Sequence, residues 1–122
     1  MNLVQEIAAS FKGQTFTIGD IADTVQRKHP DLFAQKARSA WTSFVRSELR
    51  RASDDESLPV ALSVDDHGTY RQLSFMDVDE YRFTIARYMR QSVTSRRRAY
   101  RLADECKRVH GVEIDPVAEL SA

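Results

Sequence analysis

Two kinds of hydrogen-bond donor recur between residues 36 and 51 at the spacing of one helix face. Basic side chains alternate there with short hydroxyls, namely Lys36, Arg38, Ser39, Thr42, Ser43, Arg46 and Arg50. Arginine and lysine can donate to phosphate oxygens and to the O6 and N7 atoms of guanine, whereas serine and threonine are short enough to let a helix approach closely. The pattern indicates recognition of a polyanion through a helix.

The charges of the chain are segregated, although they cancel overall. Eighteen basic residues, fourteen of them arginine, balance eighteen acids. Residues 36–51 hold five basic side chains against one acid, and residues 82–108 hold nine against two. The acids collect elsewhere, at residues 54–56, 65–66, 77–80 and 113–119. A net charge of zero therefore does not exclude a partner as negative as DNA.

Helical and strand patterns predict the elements that must position these donors. Apolar residues three and four apart predict a helix at residues 3–11, which Gly13 is expected to close in a left-handed conformation. Thr17 with Asp20 resembles a capping box, which predicts a second helix from about Ile18 to the residue before Pro30. A third helix is predicted at residues 34–51, with an apolar stripe formed by Ala37, Ala40, Trp41, Phe44, Val45 and Leu49. Strand patterns at residues 59–64 and 69–74 flank a turn and predict a β-hairpin.

The C-terminal part, residues 77–110, follows a strict three-four spacing of apolar and small residues. Its middle contains Ser92 to Ser95, which are poor helix formers, so either one long helix or a helical hairpin restarting near Arg96 is expected. The apolar seam predicts dimerisation through Val78, Tyr81, Ile85, Tyr88 and Leu102, because such a surface is too apolar to remain in water. Packing of the same seam on the N-terminal part of the chain is the alternative.

This element order resembles the winged helix-turn-helix family over residues 3–74. The predicted fold is mainly α with a small β-hairpin: a winged domain at residues 1–76, a helical extension at 77–111 and a flexible tail at 112–122. The resemblance implies that the third helix enters the DNA major groove, with Lys36, Arg38, Ser39, Thr42, Ser43, Arg46 and Arg50 as the DNA-binding residues. It further implies phosphate contacts from Thr15 and Thr17, and from Arg71 in the wing.

Some features also have simpler interpretations. The wing tip carries Asp65 and Asp66, which would repel phosphate, so this surface either points away from DNA or contacts a protein partner. Arg96, Arg97 and Arg98 are a second candidate patch for phosphate, or else a solvated helix surface. Trp41, Phe44 and Phe33 are expected in the core, because they lie on the apolar stripe.

Enzymatic and metal chemistry are not expected. The single cysteine, Cys106, excludes an internal disulfide, and with His110 it supplies at most half of a metal site. The sequence contains neither a nucleophile-elbow motif nor a glycine-rich phosphate loop, so no catalytic residue and no cofactor are predicted. No apolar run approaches the length of a membrane helix, and a cytoplasmic location is expected.

The leading hypothesis is sequence-specific binding of double-stranded DNA by a small, homodimeric transcriptional regulator. A winged-helix adaptor that binds a protein rather than DNA is the first alternative. The second is a phage-type DNA-packaging or replication accessory, in which the C-terminal helices form an oligomerisation stem.

Overall fold

The computed structural model describes residues 3–50, 58–93 and 95–120. The chain is mainly helical with one small antiparallel sheet, as the sequence predicts. Its elements are α1 (Leu3–Ser10), β1 (Phe16–Thr17), α2 (Ile18–Lys28), α3 (Pro30–Phe33), α4 (Arg38–Arg50), β2 (Ala61–Ser63), β3 (Thr69–Gln72), a 3₁₀ turn (Leu73–Phe75), α5 (Val78–Gln91), α6 (Arg96–His110) and α7 (Pro116–Glu119). Arg51 and the predicted acidic loop at residues 52–57 lie outside the described residues.

The described residues form two compact units. The first contains residues 3–50 and 59–73, and the second contains residues 74–120 together with residue 58. The division falls three residues before the predicted boundary at residue 76. No helix in the described ranges has the length and apolar character needed to cross a bilayer.

The start of α2 is set by the predicted capping box. The Thr17 hydroxyl oxygen accepts a hydrogen bond from the Asp20 backbone N–H at 3.1 Å, and the Thr17 N–H donates to the Asp20 carboxylate at 2.9 Å. These reciprocal bonds satisfy two backbone donors that a helix start would otherwise leave unpaired. The box confirms Ile18 as the first residue of α2.

The core of the first unit gathers apolar side chains from its three longer helices and its sheet. Its buried members are Val4, Ile7, Ala8, Phe16, Ile21, Val25, Trp41, Val45, Leu49, Ala61 and Tyr70. The end of α1 differs from the prediction, because Lys12 rather than Gly13 takes the positive φ, at 53°.

The predicted hairpin gains a third strand. The strand order is β1-β3-β2, and both pairs are antiparallel, with Phe16 opposite Tyr70 and Leu62 opposite Arg71. The Phe16 and Tyr70 rings stack with their centroids 6.0 Å apart. The sheet therefore connects β1, which directly precedes α2, to the predicted wing formed by β2 and β3.

The third predicted helix is shorter than its pattern suggests. Residues 30–33 form the separate helix α3, and α4 begins at Arg38 rather than at residue 34. The backbone N–H groups of Gln35 and Lys36 donate to carbonyls three residues earlier, which continues a turn and not an α-helix. Lys36 therefore precedes the helix on which it was predicted.

The C-terminal part is a helical hairpin, and α6 begins at Arg96 as predicted for that alternative. His110, at the end of α6, lies 2.7 Å from the Met76 carbonyl before α5, and its ring packs edge-on against Tyr81. The two helices are therefore antiparallel, and Tyr81, Ile85, Tyr88 and Leu102 are buried in their shared core.

This burial corrects the interpretation of the apolar seam as a dimer surface. The seam is covered within one chain, because α5 and α6 pack against each other as a hairpin. The apolar residues of each helix are buried by the other helix. Val78, the remaining member, is half-buried. A homodimer stays a prediction, but these five residues no longer supply the reason for it.

The segment predicted as a flexible tail contains a short helix and two buried side chains within residues 112–120. Ile114 and Pro116 are buried, and Asp115 caps α7 by accepting from the Val117 backbone N–H at 3.1 Å. Lys107 and Glu113 form an ion pair at 2.8 Å across the end of α6.

Replacing Gly111 with alanine is expected to lower the free energy of unfolding by about 1 kcal/mol. Gly111 ends α6 with φ at 69°, and a Cβ there would meet nothing within 4 Å, so the cost comes from the backbone alone. Urea denaturation measures it. The control is Gly19→Ala near the start of α2, where a Cβ meets only ordinary contacts and no positive φ is required. A stability loss of equal size in both variants would contradict the backbone explanation.

Candidate nucleic-acid interface

The solvent-facing side of α4 is a continuous surface of hydroxyls and guanidinium groups. Trp41, Val45, Glu48 and Leu49 are the buried residues of this helix. Steps of 100° per residue place the exposed residues Ser39, Ser43, Arg46, Ser47 and Arg50 on the opposite side. Four of these are DNA-binding residues predicted from the sequence, and the structure places them together on one face, hereafter the α4 outer face.

The charge of the α4 outer face is entirely positive. Glu48 is the only acid between Arg38 and Arg50, and it belongs to the buried side of the helix. Within the described ranges, neither Arg46 nor Arg50 takes part in an ion pair. Both guanidinium groups are thus available to a negatively charged ligand.

Arg38 lies outside this face, and its predicted contact with DNA stays a prediction. Its guanidinium forms an ion pair with Asp23 at 2.8 Å and also donates to the Gly19 carbonyl at 3.5 Å. Both partners lie on α2, so Arg38 joins the two helices. The Arg38 side chain is therefore directed toward α2 and away from the α4 outer face.

Lys36 and Phe44 form a second feature beside the α4 outer face. The Lys36 ammonium lies 4.5 Å from the Trp41 ring centroid and 4.6 Å from that of Phe44. Phe44 is 38% exposed, contrary to the core position predicted for it, whereas Trp41 is 2% exposed. The stripe pattern missed this difference because Phe44 lies at the edge of the apolar sector and Trp41 near its middle.

The predicted threonine contacts are divided between structural and exposed positions. Thr17 is the N-cap of α2, and its hydroxyl oxygen is occupied by the Asp20 N–H. Thr42 is half-buried, and its hydroxyl donates to the Ser39 carbonyl at 2.9 Å. Thr15 is exposed, as a phosphate contact requires.

The wing residues have structural roles. Arg71, predicted to contact DNA from the wing, donates a hydrogen bond to the Gly13 carbonyl and so links β3 to the segment before β1. The Asp65 carboxylate accepts from the backbone N–H groups of His67 and Thr69, at 2.8 and 3.2 Å. Desolvation raises the pKa of Asp65, but these hydrogen bonds outweigh it and hold the pKa below its ordinary value. The acidic tip is thus partly a turn-forming device, with Asp66 left exposed.

The second candidate patch lies on the first turn of α6. Arg96 and Arg97 are exposed and Arg98 is half-buried. The turn contains no acid, and the Ser95 side chain makes no capping bond to the helix. Cations at a helix N-terminus oppose the helix dipole, so this arrangement is unfavourable for α6 itself.

Cys106 and His110 do not form the nucleus of a metal site. Cys106 is fully buried, and burial raises the pKa of its thiol. His110 is directed to the Met76 carbonyl and the Tyr81 ring. No cluster of three potential metal ligands occurs among the residues that the structure describes.

Comparison with known proteins adds no relative to this picture. No protein-family model matches the chain, and neither curated proteins nor solved structures give a match.

Proposed function

We propose that this protein binds double-stranded DNA through the α4 outer face, as a sequence-specific regulator. The observation that carries the proposal is the separation of charge on α4: Arg46 and Arg50 face solvent without an ion pair among the described residues, while Glu48 is buried. A helix about 10–12 Å across fits the major groove, which is about 12 Å wide.

The serines support the proposal by their size. Ser39, Ser43 and Ser47 are exposed on the same face as the two arginines. Their short side chains let the helix axis approach base edges, and their hydroxyls can donate to or accept from any base. Arginine then supplies bidentate contacts to guanine or phosphate.

The surrounding elements support a winged helix-turn-helix arrangement. α2 and α4 are joined by the Arg38–Asp23 ion pair, and β2 and β3 follow α4 in the chain as a hairpin. The segment between α2 and α4 contains α3, so it is longer than the three to four residues of a compact helix-turn-helix.

Selection of bound sequences from a random duplex pool tests this proposal directly. We expect enrichment of one sequence motif, and binding that weakens steeply as salt rises, because each phosphate contact releases counterions. Absence of duplex binding at about 50 mM salt, where even non-specific complexes form readily, would overturn the proposal.

A protein-interaction adaptor is the second candidate. The observation in its favour is the pair of exposed apolar side chains Leu32 and Phe44, which an adaptor could bury against a partner. Failure to bind any duplex would favour this role. The accessory with an oligomerisation stem also stays a prediction; a ring of many subunits in a solution mass measurement would support it.

A further inference from the structure

An apolar strip borders the α4 outer face on one side. It consists of Ala37, Ala40 and Phe44, which are all exposed and recur at helical spacing. Leu32 of α3 is exposed as well, at 36%. A single exposed apolar residue is ordinary on a protein surface, but four of them around the first half of α4 indicate a binding surface.

The Phe44 ring has a defined position despite its exposure. Trp41 packs edge-on against it, with centroids 5.9 Å apart and planes at 84°. The Lys36 ammonium lies 4.6 Å from its centroid. A ring fixed by two neighbours can make a specific contact without first losing rotamer freedom.

Phe44 and Lys36 together match the major-groove edge of thymine. Thymine presents a C5-methyl group next to the O4 acceptor, and no other standard base of DNA offers this pair. Phenylalanine and alanine suit the methyl group, while an ammonium can donate to O4. The structure holds the apolar group and the donor side by side.

We propose that Phe44, with Ala40 on the same strip, recognises the C5-methyl group of thymine in the bound DNA. This inference rests on the proposed function, since it requires α4 to occupy the major groove. It deepens that function by predicting that the target site contains thymine at one or two positions opposite the strip.

Replacement of thymine by deoxyuridine tests the inference, because it removes only the methyl group and retains base pairing. The probe is a duplex enriched by the selection described above, substituted one thymine at a time. For the natural protein we expect about fourfold weaker binding at one or two positions, because the free energy gained by burying one methyl group is lost. For the Phe44→Ala variant, the same replacement of thymine by deoxyuridine is expected to leave the affinity unchanged.

Phe75→Ala is the matched control, because Phe75 is an exposed phenylalanine, at 50%, outside α4. For this variant, the ratio of the affinity for the thymine duplex to the affinity for the deoxyuridine duplex is expected to equal the ratio found for the natural protein. The comparison in the natural protein needs no variant, so a folding defect in Phe44→Ala would not prevent the test.

The outcomes separate the inference from the proposed function. If a duplex binds but no thymine is sensitive to loss of its methyl group, the methyl contact is wrong and DNA binding stands. The same conclusion follows if Phe44→Ala keeps the full sensitivity. If no duplex is enriched, both proposals fail, and the apolar strip fits a protein partner instead.

Discussion

Replacing Arg46 and Arg50 together with alanine is expected to lower the affinity for the selected duplex by about 100-fold, from two contacts of roughly tenfold each. Both guanidinium groups lie on the α4 outer face and have no ion-pair partner in the described ranges, so their loss would remove the proposed DNA contacts without breaking an ion pair there. If both contact phosphate, the slope of log affinity against log salt should decrease in magnitude by about two. Titration of labelled duplex at several salt concentrations measures both quantities.

A control of equal charge distinguishes a specific face from general attraction. Arg27→Ala with Lys28→Ala removes the same two positive charges from exposed positions in the last turn of α2. We expect this variant to bind within a few-fold of the natural protein, since long-range attraction is screened beyond roughly 10 Å at 0.1 M salt. Equal losses in both double variants would show that binding follows net charge and that the α4 outer face is wrongly assigned.

Arg38 provides a second comparison on α4 itself. Arg38→Ala with Asp23→Ala keeps the net charge constant and removes an exposed ion pair between α2 and α4. Such pairs contribute about 1 kcal/mol or less to stability. The variant should therefore fold, and because both side chains lie outside the α4 outer face, its duplex affinity is expected to change little, in contrast to the sequence-based expectation that Arg38 contacts DNA.

The sequence predicts those helix ends that are determined by residues close together in the chain. The Thr17 and Asp20 capping box lies within four residues, so its spacing alone identifies the start of α2. Glycine is the residue type most favoured at the left-handed end of a helix, and Gly111 ends α6 in that conformation. Both features are determined by interactions that the local sequence contains.

The errors concern side chains whose partners are distant in sequence. The partner of Arg38 is Asp23, fifteen residues away, and no spacing rule identifies that pair. The sequence analysis grouped Arg38 with Arg46, although Arg38 precedes the buried Trp41 and Val45 by three and seven residues and so lies near their side of α4. Four of the five residues of the α4 outer face were predicted from the sequence, and the structure was needed to identify the partners of Arg38.

The apolar seam was identified correctly, but its partner was not. Periodicity shows that Tyr81, Ile85 and Leu102 must be buried, and they are. It cannot show whether the covering surface comes from the same chain or from a second one. The four-residue connection between α5 and α6 decides the question in favour of the hairpin.

Replacing Trp41 with alanine is expected to lower the free energy of unfolding by about 3–5 kcal/mol, the range for large aromatic side chains in cores. Trp41 is 2% exposed, and its Nε1–H donates to the Phe33 carbonyl at 2.8 Å. Its ring also stacks on Phe33, with the planes at 9°. The substitution would leave a cavity between α3 and α4, and the Phe33 carbonyl would lose its hydrogen bond from the indole. Because Trp41 is the only tryptophan, unfolding in urea is followed by circular dichroism.

Phe44→Ala is the matched control on the same helix. Phe44 is three residues away and also aromatic, but it is 38% exposed, so it loses the contacts to Trp41 and Lys36 and only part of the burial that Trp41 loses. We expect a loss of about 2 kcal/mol, from one edge-on aromatic contact, one exposed cation–π contact and the partial burial of the ring. A loss as large as that of Trp41→Ala would place Phe44 in the core and remove the basis for its contact with thymine. A small loss would leave Phe44 as a side chain that the fold does not require, which is the property expected of a residue whose role is recognition.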